Sequence, residues 1–348
     1  MNKFVINNLE KYRANNSTYL IAEIGQAHDG SLGILHSLIE AVASIGVNAI
    51  KFQIHIAEAE SSEFEPFRKK FSYQDRTRYD YWQRMEFSIE EWKSIKKKCE
   101  SLGLEFLATP FSNKAVDYLE DIGVSKYKIG SGDLNNKLLL DKIIKTGKEI
   151  ILSTGLVSQE ELNDLVINLK RKKIKYSLLQ CTSKYPTEAE DIGLDLISFY
   201  KERYNCPVGL SDHSGKIYPA LGAVALGANI IEAHVCFDKR MFGPDSIASL
   251  DLNEFSELVK GVRFLEKAKI SHASKNNDAD FNRMREIFGK SLALNRDLKK
   301  GDTISFQDLE GKKPAGKGIP ANDYNKILGM KLKQSKSQWE FINYSDLL

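Results

Sequence analysis

Residues 208–235, VGLSDHSGKIYPALGAVALGANIIEAHV, contain the pattern that decides the fold. The segment opens with a short apolar run at 208–212 and continues with a helix-like stretch that stops at Gly227. A second apolar run follows at 230–235. Two short apolar runs joined by a helix predict a β-α-β unit with parallel strands.

The same unit recurs along most of the chain. Eight strands that alternate with helices predict an α/β protein, and specifically a (β/α)8 TIM barrel, which takes about 250 residues. In that fold, the C-terminal ends of the strands and the loops after them form the active site. The predicted strands are residues 20–25, 49–53, 105–110, 126–131, 150–155, 176–181, 208–212 and 230–235.

The chain has 348 residues, which is more than a barrel needs. We predict a barrel domain over residues 1–270 and a polar linker over 271–287. Residues 288–348 contain short strand-like runs punctuated by Gly and Pro, a pattern that predicts a small, separate β-rich domain.

Composition narrows the functional classes. The chain is 42% hydrophobic and 28% charged, as expected of a folded globular protein, and its 50 basic residues nearly balance its 47 acidic ones. We therefore expect no nucleic-acid partner. No apolar run approaches the roughly 20 residues of a membrane span, so we expect a cytoplasmic protein without a membrane partner. The four cysteines form no C-x-x-C pair, which argues against a zinc–thiolate site.

One connection is unusually long. Residues 54–87, between the second strand and the next helix, far exceed the usual two to six residues of such a loop. One interpretation is a lid or a subunit contact over the active site. The second is an aromatic cluster packed on the barrel rim. The aromatic residues concerned are Phe64, Phe67, Phe71, Tyr73, Tyr79, Tyr81 and Trp82.

Two lysines stand at predicted strand ends. Lys51 and Gln53 share one face of the second strand because side chains alternate, and Lys128 of the fourth strand adds a second cation. A buried lysine needs an anionic partner. We favour a bound phosphate or carboxylate in that role. The competing interpretation is pairing with barrel carboxylates such as Glu23 or Glu232.

Two histidines stand at neighbouring strand ends. His213 follows strand seven and His234 lies at the end of strand eight. Adjacent strands run about 4.8 Å apart, so both imidazoles can reach one metal ion. Two histidines without nearby thiolates favour Mn²⁺ or Mg²⁺, completed by water and substrate oxygens, over a closed zinc site.

These motifs, in this order and spacing, resemble the sialic acid synthase family, which condenses phosphoenolpyruvate (PEP) with a hexosamine-type sugar to make nonulosonic acids. The tail from Lys290 resembles the small antifreeze-like SAF (β-clip) domain of the same synthases. The resemblance is carried by residues 21–25 (IAEIG), 49–53 (AIKFQ), 109–111 (TPF), 127–133 (YKIGSGD), 185–187 (YPT), 209–213 (GLSDH), 231–234 (IEAH) and 243–245 (GPD).

The resemblance also implies roles for individual residues. It implies that His213 and His234 bind the divalent metal, and that Glu23, Lys51 and Lys128 are catalytic. Positions matching PEP-binding residues are Lys51, Gln53, Thr109, Lys128, Ser131, Ser183 and Ser211. Positions matching acceptor-sugar contacts are Glu23, Tyr185, Asp245 and Lys313.

Departures from the family pattern gather on the acceptor side. Ser246 follows Asp245 where His is usual, and Lys313 replaces an arginine that the SAF domain of a homodimer partner extends into the neighbouring barrel. On the PEP side, Ser183 stands where the family has an Asn that helps to bind phosphate. The sequence therefore leaves two candidates for the acceptor sugar, N-acetylmannosamine and a diacetamido-trideoxyhexose. The sequence is also compatible with a 3-deoxy-ulosonate synthase, an aldolase that forms a Schiff base on Lys128, or a catalytically inactive carbohydrate-binding protein.

Overall fold

Eight parallel strands form the central sheet of the N-terminal unit, in the order β3-β2-β1-β8-β7-β6-β5-β4. Strands β3 and β4 lie side by side and close the sheet into a barrel, so the predicted fold class is confirmed, with strand ends within two residues of those expected. The strands are β1 Tyr19–Glu23, β2 Ala49–Ile54, β3 Glu105–Pro110, β4 Lys126–Ile129, β5 Glu149–Ser153, β6 Tyr176–Cys181, β7 Val208–Asp212 and β8 Ile230–His234.

This computed structural model describes residues 17–69, 71–270 and 279–348. Helices follow the strands as the apolar periodicity predicts, and capping residues start several of them, such as Ser88 and Ser158. No helix within the described ranges combines the length and apolar character needed to cross a bilayer. The helices of the first unit are α1 Leu32–Ala43, α2 Ala57–Glu60, α3 Arg78–Met85, α4 Ile89–Ser101, α5 Asn113–Ile122, α6 Lys137–Lys145, α7 Gln159–Arg171, α8 Asp195–Tyr204, α9 Tyr218–Ala225 and α10 Leu252–Ile270.

Strand alternation divides the barrel interior into an apolar floor and a polar mouth. The floor is a separate cluster of buried apolar side chains. Because side chains two residues apart point the same way, six of the eight strands continue from a floor residue to a residue at the mouth. The floor residues are Tyr19, Ile21, Ala49, Leu107, Ile151, Leu179 and Ile230; the residues two positions after the last six are Glu23, Lys51, Thr109, Ser153, Cys181 and Glu232.

The long connection after β2 folds as an aromatic cluster on the barrel. Tyr81 and Trp82 of α3 are buried, with Phe67 and Phe71 packed against them. Arg84 anchors the segment, since its guanidinium lies 2.8 Å from the carboxylates of both Asp75 and Asp29. The rim-cluster interpretation is therefore confirmed, although the same segment also lines a cavity described below.

The C-terminal unit, Ser271–Leu348, has its own apolar core. Two antiparallel strands, β9 Ser291–Leu294 and β10 Leu309–Lys312, form its regular sheet. The predicted linker 271–287 is wrong in its second half, because Ala279–Phe288 forms helix α11. Phe281, Met284 and Phe288 have the spacing of apolar residues in a helix, but the many polar residues around them favoured the prediction of a linker. Residues 271–278 lie outside the described residues.

Candidate active site

Two lysines and two glutamates lie buried together at the barrel mouth. The register pairs Glu23 with Lys51 across β1 and β2, and Lys51 donates a hydrogen bond to Glu23. Glu232 lies between the lysines, with its Oε1 3.7 Å from Lys51 Nζ and 3.5 Å from Lys128 Nζ. The competing interpretation, in which the lysines pair with Glu23 and Glu232, is therefore confirmed. Binding of an anionic ligand by the same lysines stays a prediction.

Burial and charge act in opposite directions on these groups. Burial lowers the pKa of Lys51, but Glu23 and Glu232 outweigh it and hold that pKa above its ordinary value. For Lys128, burial prevails over Glu232, and its pKa is lowered. Burial raises the pKa of Glu232, but the two lysines and Ser211 bring it below its ordinary value. Glu232 is therefore ionised at neutral pH, and Lys51 is charged.

Hydroxyl groups surround this cluster. Ser211 donates to Glu232 over 3.0 Å, and the hydroxyls of Ser131 and Ser183 lie 2.7 Å apart. In the described part of the chain, the buried hydroxyl of Thr109 has no hydrogen-bond partner. Ser131, Ser211 and Thr109 border a cavity of about 150 Å³. The predicted site residues that line it are Lys51, Gln53, Thr109, Lys128, Ser131, Tyr185, Ser211, His213 and His234.

A chain of hydrogen bonds, which begins on the long connection after β2, orients the carboxylate of Glu23. Gln53 Nε2 donates to Glu23 Oε1 over 2.9 Å, and its carbonyl oxygen lies 3.0 Å from His55 Nε2. The other ring nitrogen of His55 lies 2.6 Å from Glu60. The His55 ring is stacked between two aromatic rings, at centroid distances of 3.7 and 4.5 Å. The amide of Gln53 is thus fixed with its N–H toward Glu23.

The two predicted metal-binding histidines lie together, with ring centroids 5.5 Å apart. His213 Nδ1 lies 3.0 Å from the carbonyl oxygen of Thr182, so Nδ1 donates, and Nε2 faces the hydroxyl of Tyr185 at 3.1 Å. Burial, reinforced by His234, lowers the pKa of His213 to about 3. The ring is therefore neutral, as a metal ligand must be.

The donor set is compatible with an open metal site. Over the described residues, no group of three or more His, Cys, Asp and Glu side chains is arranged to hold an ion. The imidazoles of His213 and His234 are the side chains that could hold a divalent ion such as Mn²⁺ or Mg²⁺, with water or substrate oxygens completing its coordination.

A second cavity, of about 360 Å³, lies beside the first, and Gln53, Phe111 and Tyr185 line both. Arg68 places its guanidinium 4.0 Å from the Tyr185 ring centroid and donates to Asp245 over 2.7 Å. Burial raises the pKa of Asp245, but His234 and Arg68 bring it below its ordinary value. The predicted acceptor residues Tyr185 and Asp245 thus lie at one wall.

Lys313 belongs to the C-terminal unit, where its side chain is exposed and its Nζ lies 4.8 Å from the ring centroid of Phe288. The remaining predicted site residues all lie in the barrel unit. Sequence reasoning missed Arg68, Arg78 and Ser153, and treated Glu232 only as a possible lysine partner. Ser153 and Glu232 could have been found from strand alternation, whereas no pattern in the long connection marks Arg68 or Arg78 among its arginines.

The fold and these side chains define a (β/α)8-barrel enzyme with a polar, buried mouth. Comparison with known sequences makes this specific: the chain belongs to the NeuB family, whose profile matches residues 38–274.

Named relatives extend over nearly the whole chain. The N,N'-diacetyllegionaminic acid synthase of Campylobacter jejuni is 36% identical over 323 residues, which is 90% of this chain and 95% of that protein. The human N-acetylneuraminate-9-phosphate synthase is 31% identical and covers 90% of this chain and 88% of its own. The N-acetylneuraminic acid synthetase of Leptospira borgpetersenii, solved with citrate, has a TM-score of 0.68 and 33% identity, covering 78% of this chain and 90% of its own.

Proposed function

We propose that this chain condenses PEP with an N-acylated hexose to give a nonulosonic, sialic-acid-like acid and inorganic phosphate. Family membership supports the reaction class, since the named relatives are sialic and legionaminic acid synthases. The observation that carries the proposal is the barrel mouth, where the lysine–glutamate cluster lies beside the imidazole pair around one small cavity.

PEP would bind in the 150 Å³ cavity. The hydroxyl of Thr109 supports this placement, because a buried hydroxyl without a partner is costly unless a ligand satisfies it. Lys51 and Lys128 would contribute their charges to the phosphate and carboxylate. The remaining proposed PEP contacts are Gln53, Ser131, Ser183 and Ser211.

His213 and His234 would hold the divalent ion, Mn²⁺ or Mg²⁺, which when bound supplies Lewis acidity toward the acceptor aldehyde. The chain's own residues fix both substrates in contact, which removes much of the entropic barrier. A bond forms between C3 of PEP and the aldehyde carbon, and the aldehyde oxygen takes up a proton.

The condensation leaves positive charge at C2 of PEP. Glu23, oriented by Lys51 and Gln53, is placed to stabilise that charge and to accept a proton from the water that adds there. The C–O bond to phosphate then breaks while the new C2 hydroxyl loses its proton, which leaves the 2-keto acid and inorganic phosphate. The two protons of the added water thus end on the former aldehyde oxygen and on the phosphate. Lys128 and Lys51 balance the charge of the departing phosphate.

For the acceptor, we propose contacts from Glu23, Tyr185 and Asp245, and from Lys313 of a partner's C-terminal unit, which we propose is an SAF domain in a homodimer. A subunit-mixing assay tests that arrangement. In a mixture of Lys313→Ala with an inactive His213→Ala protein, hybrid dimers would combine an intact His213 of one chain with an intact Lys313 of the other, so part of the sites should show the wild-type acceptor KM. A mixture in which every active site keeps the raised acceptor KM of Lys313→Ala contradicts the arrangement. Because PEP is charged and does not cross bilayers unaided, we place the reaction in the cytoplasm.

The proposed function is tested by phosphate release. The protein is incubated with PEP, Mn²⁺ and a panel containing N-acetylmannosamine and 2,4-diacetamido-2,4,6-trideoxymannose, and products are identified by mass spectrometry. We expect acceptor-dependent phosphate release that stops when a chelator removes the ion. Binding of these sugars with no phosphate release from any of them would instead indicate an inactive carbohydrate-binding protein.

The lowered pKa of Lys128 favours one competing function, a Schiff-base aldolase. Against it, Lys128 donates to Ser153 over 2.7 Å and to the carbonyl of Ile129 over 3.1 Å. Borohydride treatment with pyruvate distinguishes the two functions. We expect no mass increase, whereas a covalent adduct on Lys128 would support the aldolase.

A further inference from the structure

Arg68 is a barrel-unit arginine that has no part in the proposed reaction. It lies on the long connection after β2, and its guanidinium packs against the same Tyr185 ring that stacks on His213 with a centroid distance of 4.1 Å. Nη2 of Arg68 donates to the Asp245 carboxylate over 2.7 Å and to the carbonyl oxygen of Pro244 over 3.1 Å. Arg68 is thereby held at the edge of the imidazole pair.

The other nitrogens of Arg68 remain available. Within the described ranges, all its hydrogen bonds run through Nη2, and its side chain is 46% exposed. Nε and Nη1 are therefore N–H donors at the wall of the 360 Å³ cavity. A second arginine on the same wall, Arg78, has a buried Nη1 without a hydrogen-bond partner among the described residues. Both groups suit carbonyl and hydroxyl oxygens of a ligand.

Charge around the cavity indicates what kind of ligand it takes. Its lining includes two arginines, but the carboxylates outnumber them: Glu60, Glu65, Asp133 and Asp245 all border the space. Arg68 and Arg78 already pair with carboxylates of this wall, at 2.7 and 3.5 Å. An anionic substituent would meet this excess of carboxylates, whereas an uncharged acylamino or hydroxyl group would find donors, acceptors and the aromatic ring of Trp82.

We propose that Arg68 is a specificity-determining residue that binds an uncharged N-acyl sugar acceptor in this cavity, in preference to its phosphate ester. The inference rests on the proposed function, because it takes the cavity as the acceptor's place. In this proposal, the cationic contact with the acceptor comes from the long connection of the same chain and not from a partner. Arg68→Ala is safe for folding because the side chain is half exposed, and Arg76→Ala, an exposed arginine on the same connection, is the matched control.

The experiment uses the full-length protein and two readouts. Calorimetry measures binding of N-acetylmannosamine, its 6-phosphate and 2,4-diacetamido-2,4,6-trideoxymannose, and steady-state assays measure KM for acceptor and for PEP. We expect Arg68→Ala to weaken acceptor binding and raise acceptor KM roughly tenfold or more, with PEP KM unchanged. Arg68→Lys should recover part of the loss, and Arg76→Ala should match the wild type.

The possible outcomes separate this inference from the proposed function. Sugar binding that depends on Arg68, without phosphate release, would support the inference and contradict the proposed function. No binding of the uncharged sugars by the wild type, equal acceptor binding by wild type and Arg68→Ala, or tighter binding of the 6-phosphate would each overturn the inference. A parallel rise in acceptor KM and PEP KM would also overturn it, because it would indicate a structural role.

Discussion

The barrel mouth and the long connection after β2 both supply charged side chains to adjoining cavities, but they do so differently. At the mouth, residues from strand ends are buried and paired, as in Glu23 with Lys51, and alternation fixes their directions. On the connection, Arg68 is half exposed and is held by contacts with distant loops, at Asp245 and Tyr185.

The difference separates reaction chemistry from substrate choice. Strand ends keep their positions when loop sequences change, so the mouth can hold PEP and an ion in fixed geometry. A loop can acquire new side chains without disturbing the barrel, so the cavity bordered by Arg68 is suited to distinguishing acceptors. Changes at the mouth should therefore reduce turnover and stability, and changes on the connection should alter acceptor use.

The largest effect expected at the mouth is that of His213→Ala. Removing an imidazole that would ligate the ion should lower kcat by more than the roughly 100-fold that loss of an outer-shell partner costs. Phosphate release is the measurement, and Mn²⁺ affinity by calorimetry should fall in parallel. His36→Ala, on the outer helix α1, is the control. A variant with normal kcat and only a raised PEP KM would show that His213 does not serve the metal.

Glu232→Gln should be the most destabilising of the charge changes. It leaves two buried lysines with one carboxylate, which costs about 3 to 5 kcal/mol. The matched change on the connection is Glu65→Gln, whose side chain is 35% exposed and whose loss should cost less than about 1 kcal/mol. Denaturant unfolding measures both. Equal losses would break the distinction between the two regions.

The destabilisation caused by Glu232→Gln should depend on pH. The folded-state pKa of Glu232 lies below its ordinary value, because the lysines prevail over burial. Its stabilisation is present above the ordinary carboxyl pKa and is lost as pH falls through the lowered one. The difference in unfolding free energy between the wild type and Glu232→Gln should therefore be largest at pH 7 and shrink by pH 3. A constant difference would contradict the ion-pair assignment.

Thr109→Val tests whether the unpartnered hydroxyl serves a ligand. It removes a hydrogen bond to a charged substrate, so PEP KM should rise roughly tenfold, while stability should not fall. Thr77→Val is the complementary change on the connection. It removes the N-cap of α3 and should cost about 1 kcal/mol of stability without altering PEP KM. Reversal of this pattern would place the PEP site elsewhere.

Lys313→Ala should have the smallest effect. If Arg68 supplies the main cationic contact with the acceptor, loss of Lys313 should raise acceptor KM by only about two- to threefold, the effect of a weak, exposed contact. Steady-state kinetics beside Arg68→Ala and the exposed control Lys317→Ala measure this. If Lys313→Ala raised acceptor KM more than Arg68→Ala did, the C-terminal unit and not the long connection would select the acceptor.

Sequence alone predicted the mouth and not the connection, for a physical reason. The strict alternation of strands places Lys51, Gln53, His213 and His234 at known points of a known fold. It could not show that Glu23 and Glu232 satisfy the lysines, because pairing depends on side chains from four strands. Nothing periodic places Arg68, whose position follows from contacts far away in the sequence.

The central claim is that one barrel mouth holds a divalent ion beside PEP. Anomalous scattering from crystals soaked with Mn²⁺ and PEP tests it most directly. We predict a manganese peak between the imidazoles of His213 and His234, with PEP in the adjoining cavity in contact with the Thr109 hydroxyl. A peak elsewhere, or PEP bound away from this cavity, would contradict it.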